Sequence, residues 1–165
     1  MAQHRTRRRG KLRPEEPAPA ASTPYRVELS KSAENVYVEL HRRMREAEER
    51  GDKSSAHHTC FRMIQDALKN QIPHDPTSKR FALSGKLSNF FRMHKGRHRI
   101  CWAVSTEKRL IIILFISETL RKAGDINDPY RIFEKALVMG EFDEILSKIG
   151  VRKPPRLFPE LGAVQ

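Results

Sequence analysis

The sequence predicts an α+β fold, a small antiparallel sheet packed against a helical hairpin behind a disordered basic N-terminal arm. Three observations carry that prediction. Apolar residues recur at helical spacing in the first half of the body, the period changes to two over 89–116, and residues 1–24 follow neither period.

The elements follow in order. Residues 25–29 alternate, with Val27 and Leu29 on one side, and read as a short strand. Ser30 or Ser32 then offers an N-cap to a helix whose inner stripe is Val36, Leu40, Met44 and Ala47, and Gly51 suits its stop. Ser54 or Ser55 opens a second helix, with Phe61, Ile64 and Leu68 inward, closed before Pro73. The short connection between the two makes a helical hairpin. Residues 89–95, 97–104 and 109–116 read as three consecutive strands, with Lys95-Gly96 as a two-residue turn. The third is apolar throughout, as a strand covered on both faces should be. Asp128-Pro129 has the form of an N-cap and first helical position, leading into Ile132, Phe133 and Leu137. A last short helix over 142–149 ends at Gly150. Residues 25–150 therefore form the folded domain and 151–165 a tail.

The 165 residues hold 32 Lys+Arg against 20 Asp+Glu, a net charge of +12. Four of those charges belong to the arm, with Arg5, Arg7, Arg8, Arg9, Lys11 and Arg13 among prolines and small polar residues. In the body, the stretch over 77–122 alone nets +9, and the remainder is close to neutral. Charge gathered in this way builds a field for a polyanion, whereas solubility alone would spread it. No apolar run reaches the ~18 residues of a membrane helix. The arginine-rich start lacks an apolar core, so no secretory signal is expected. Two cysteines make no disulfide framework and fit a reducing cytoplasm. His57, His58 and Cys60 resemble a metal set in letters only, since consecutive helical positions diverge by ~100° and no second ligand pair follows. No phosphate-cradling glycine loop or nucleophile elbow is present.

The hairpin strands hold the chemistry. With Lys95-Gly96 as the turn, His94 faces Arg97, Arg92 faces Arg99 and Phe90 faces Cys101. Arg92, His94, Arg97 and Arg99 then share one face, while Phe91, Met93, His98, Ile100 and Trp102 take the core face. Guanidinium forks match phosphate oxygens and the charge that develops on them during cleavage. His94 titrates near neutrality and is a candidate acid or base. A solvated basic strand face has the same spacing, so on the residues alone both readings stand.

Leu83-Ser84-Gly85, Phe90-Phe91-Arg92, Gly96-Arg97-His98-Arg99-Ile100 and the apolar strand over 110–116 occur in that order. They are followed by Glu118-Thr119-Leu120-Arg121-Lys122, Ala123-Gly124 and Tyr130-Arg131-Ile132-Phe133. Together these motifs resemble the RelE/ParE toxin superfamily, and within it the YhaV-type toxins of type II toxin–antitoxin systems. The resemblance implies an endoribonuclease that cuts mRNA, largely on the ribosome, without metal or cofactor. It also implies a cognate antitoxin with an AbrB-like DNA-binding domain. By position, Arg99 is implied to contact the scissile phosphate, Arg92 to support it, Arg121 to follow the last strand as a basic site residue, and Tyr130 to orient the substrate. Phe90 stands where some RelE-type members have lysine, and His98 where an aromatic is common. Lys79, Arg80, Lys86, Lys95 and Lys122 complete the expected RNA-binding set. The alternative on the same scaffold is a non-catalytic RNA- or DNA-binding protein.

Overall fold

A computed structural model describes residues 23–117 and 128–154 of the protein. Strand β1 (Arg26–Leu29) leads into α1 (Lys31–Glu49) and α2 (Ala56–Asp66), which pack together as the expected hairpin. Ser30 joins strand to helix: its hydroxyl accepts from the Ala33 amide and donates to the Leu114 carbonyl at 2.7 Å. One buried side chain thus caps α1 and ties it to the sheet. Ser55 caps α2 in the same manner. Pro73 has no amide hydrogen to continue the helix, and α2 unwinds through a π turn, Ala67–Gln71, and a 3₁₀ turn, Ile72–His74.

Strands β2 (Phe91–Lys95), β3 (His98–Ser105) and β4 (Leu110–Ile116) form the meander, and the sheet order is β1-β4-β3-β2. The sheet is mixed, because β1 lies parallel to β4 while the other pairs are antiparallel. The turn between β2 and β3 is Gly96-Arg97, so Lys95 pairs with His98 and His94 with Arg99. Its first central position needs a positive φ, which Gly96 supplies at +56°. The expected turn lay one residue earlier. That slip changes the pairing by two residues, so the faces survive it, but Arg97 moves into the turn.

Two cores result. On one face Ile100, Trp102, Ile111 and Ile113 pack against Leu40, Phe61 and Ile64 of the hairpin. On the other, Cys101, Ala103, Ile112 and Leu114 meet α3 (Pro129–Val138) and α4 (Asp143–Ile149) through Phe133, Leu137 and Leu146. The sheet is therefore covered by helices on both sides, which explains why β4 is apolar throughout. A bulge between Cys101 and Trp102 in the β3–β4 register leaves Leu114 as the extra residue, and both Leu114 and Phe115 join the second core. Among the described residues no helix is long and apolar enough to cross a membrane.

Candidate active site

Arg92 and His94 stand two residues apart on β2 and so share a face, the one toward α3. Arg99 lies directly opposite His94, and the fully buried Cys101 directly opposite Arg92. The third member, Tyr130, comes from the first turn of α3. Asp128 accepts from the Tyr130 amide at 3.0 Å and Pro129 occupies the first helical position. Phe133, three residues on and on the same helical face, is fully buried and meets Phe90 edge-on at 5.6 Å. Burying such a ring contributes about 1.5–3 kcal/mol, and it fixes the helix that presents the tyrosine.

The three side chains close a triangle. Arg92 Nη1 donates to the Tyr130 hydroxyl at 3.0 Å and to His94 Nε2 at 2.8 Å, and Nε2 lies 2.8 Å from the Tyr130 hydroxyl. A guanidinium only donates, so Nε2 must be the acceptor and His94 is neutral, with its proton on Nδ1. Partial desolvation, then the charges of Arg99 and Arg92, hold the His94 imidazole below its ordinary value of 6.5. Burial raises the Tyr130 phenol above its ordinary value, against the opposing hydrogen bond from Arg92. At neutral pH the pair is thus an unprotonated imidazole beside a protonated phenol. Such a pair takes one proton and gives another.

Arg92 and His94 also line an open cleft of about 430 Å3 along β2, the last strand of the sheet. Arg80, Phe81, Lys95 and Gln71 line it too. Arg80 stacks on its neighbour Phe81, the guanidinium carbon 4.4 Å from the ring centroid. Arg99 is held by its backbone: its amide donates to Ser117 Oγ at 2.7 Å, and the Ser117 amide donates back to its carbonyl at 2.9 Å. His98 Nδ1 bonds the Ser117 carbonyl, so this buried imidazole braces the ends of β3 and β4.

Of the residues singled out from the sequence, Arg92, His94, Arg99 and Tyr130 come together, and Arg80 and Lys95 line the cleft with Arg92 and His94. Arg97 does not: it sits exposed in the turn, in the wall of a second groove with Leu40, Cys60 and Met63 of the hairpin. Lys79 is exposed in the 3₁₀ turn that carries Arg80. Lys86 reaches instead toward Glu134 of α3 at 3.9 Å. Arg121 and Lys122 lie outside the described residues, as do Glu118, Ala123 and Gly124. His58 pairs with Glu48 at 2.9 Å and locks the two hairpin helices. Among the described residues no three His, Cys, Asp or Glu side chains gather as a metal set. Trp102 is core, its indole donating to the Pro76 carbonyl at 3.0 Å. The residues missed from the sequence are Gln71 and Phe81, which no periodicity places beside β2.

Two guanidiniums, a neutral imidazole and a phenol, two of them lining a basic cleft, are groups chemically able to bind and cleave a phosphodiester. The sequence matches the YhaV toxin family, described as toxins with endonuclease activity of toxin–antitoxin systems, over residues 27–151. The chain belongs to that family and is a toxin of this kind. Among solved structures it is similar to a chain of the RelBE2 toxin–antitoxin complex from Mycobacterium tuberculosis. That match has 17% identity and a TM-score of 0.42, and covers 60% of this chain and 100% of the other. No curated protein matches the sequence.

Proposed function

We propose that the protein is a metal-independent endoribonuclease that cuts mRNA on the ribosome and so stops translation in the cytoplasm. The observation that supports this most is the Arg92–His94–Tyr130 triangle, which holds a base, an acid and a phosphate ligand within hydrogen-bond reach of one another.

Arg92 and Arg99 take the phosphoryl oxygens of the scissile linkage and stabilise the extra charge of the transition state. His94 Nε2 accepts the proton of the adjacent ribose 2′-hydroxyl as the 2′-oxygen bonds to phosphorus. The P–O5′ bond breaks, and the leaving oxygen takes the Tyr130 hydroxyl proton. The imidazolium then returns its proton to the phenolate across their 2.8 Å contact, which restores both groups. The products are a 2′,3′-cyclic phosphate and a 5′-hydroxyl. Arg121, in the segment after β4, adds a further cation for the phosphate.

Residues 1–24 act as a basic tether to RNA, and 151–165 as a tail on the domain of 25–150. The partner that silences the enzyme is an antitoxin with an AbrB-like DNA-binding domain and an acidic segment. Charge complementarity draws that segment over Arg92, Arg99 and the cleft. Lys79, Arg80, Lys95 and Lys122 hold the RNA backbone on either side of the cut.

Induction of the protein alone in growing bacteria tests the reading. Arrest of translation with cut messages, and cutting by the purified protein on translating ribosomes in excess chelator, are the expected results. Growth without message cleavage, or cleavage abolished by the chelator, would contradict it.

A further inference from the structure

Gln71 lines the same cleft as Arg92 and His94, and nothing in the proposed reaction uses it. It is the last residue of the π turn Ala67–Gln71, an irregular helical turn of a kind frequent at functional sites. Its amide nitrogen donates to Asp66 Oδ2 at 2.6 Å, while Asn70 donates to Asp66 Oδ1 at 2.7 Å. The two hydrogen bonds hold the Asp66 carboxyl below its ordinary value, so it is ionised and only accepts. That pairing favours the Gln71 amide with its nitrogen toward Asp66. Its oxygen, Oε1, makes no hydrogen bond among the described residues. Gln71, whose acceptor oxygen is unpaired among the described residues, thus lines the cleft that Arg92 and His94 share, and Phe81 and Arg80 line it as well.

Single-stranded RNA is read by splaying a base onto an aromatic ring or a guanidinium plane and bonding its edge. The exposed guanidinium plane of Arg80 and the Gln71 oxygen supply those two parts. We infer that Gln71 selects the base at one fixed offset from the cut, accepting a hydrogen bond from the N6 amine of adenine or the N4 amine of cytosine. Adenine and cytosine carry that amine, whereas guanine and uracil present a keto oxygen at the same place, acceptor against acceptor. Asp66 is the positioning residue that keeps the amide from turning. The inference rests on the RNA-cleaving reading above.

The test is a library of messages with one randomised codon, translated with the full-length protein, in which every cut site is mapped by its 5′-hydroxyl end. The wild type should favour adenine or cytosine at one position by on the order of tenfold. Gln71→Leu should lower that ratio toward one. Asp66→Asn, which lets the two amides pair in either sense, should weaken it. Adding Gln71→Glu to Asp66→Asn reverses donor and acceptor between the two positions, leaves only acceptors at 71, and should restore the bias. Loss of fold would reduce cutting at all sites together and could not produce this loss and recovery. Cutting without any such bias, or a bias unchanged in Gln71→Leu, would overturn the inference while the RNA-cleaving reading stands. No cutting of any message by the wild type would overturn both.

Discussion

His94 Nε2 and the Tyr130 hydroxyl stand 2.8 Å apart although 36 residues separate them, one on β2 and the other on α3. Neither could do the proposed chemistry alone. Partial desolvation, then the charges of Arg99 and Arg92, favour the unprotonated imidazole, and burial raises the phenol so that it keeps its proton.

Tyr130→Phe removes the proposed acid and leaves the ring. Cleavage of translated message should fall by roughly 100-fold or more, the usual scale for a general acid or base. Circular dichroism should be unchanged, since Phe133 and Leu137 still dock α3. His94→Ala should show a similar loss.

The pH profile follows from the sign of the His94 shift. The base works in its neutral form, and its pKa lies below the ordinary 6.5. The acidic limb of kcat/KM should therefore have its midpoint below 6.5. Arg99→Ala removes one charge that disfavours the imidazolium, so in this slower variant the limb should move upward toward 6.5. Desolvation, the larger cause, remains and keeps the shift partial. A limb that stays in place, or moves down, would show that His94 is not the titrating base.

Arg99 and Arg97 should behave differently. Arg99→Ala removes a donor aimed at developing charge, for which roughly a 100- to 1,000-fold loss in turnover is expected. Arg97→Ala alters an exposed turn residue away from the triangle, and turnover at saturating substrate should change little. Single-turnover rates of the two variants check the contrast.

Deletion of residues 1–24 removes a net +4 and stops short of Tyr25, whose amide is tied to the Pro73 carbonyl. Association with RNA or ribosomes should weaken and show a shallower salt dependence. Turnover should persist once substrate is saturating. Titrations at several salt concentrations check both parts.

The alternation of β2 and β3 was enough to put Arg92, His94 and Arg99 on one face, because a turn displaced by one residue shifts the pairing by an even number. The same displacement misplaced Arg97, because the sequence does not say which central turn position Gly96 takes. The hairpin of α1 and α2 was legible from its stripes and serine caps. Cover on both faces of β4 was legible from its apolar run, but the side that α3 and α4 take was not. Phe133 and Leu137 mark an inner face for α3, but only the tertiary structure says that it covers the side of the sheet bearing the arginines. Tyr130 was found through the family motif and not through spacing, since its partners lie across the domain. Gln71 gave no signal at all: a π turn depends on how the chain resolves its approach to Pro73, and helical periodicity does not report that.

In the proposed reaction the ribose 2′-hydroxyl attacks the phosphate with His94 as its base. A message carrying a single 2′-deoxynucleotide immediately 5′ of a mapped cut, presented on the ribosome to the wild-type protein, tests it most directly. No cleavage at that linkage and normal cleavage at unmodified linkages of the same message are expected. Cleavage at an unreduced rate across the deoxy-substituted linkage would contradict it.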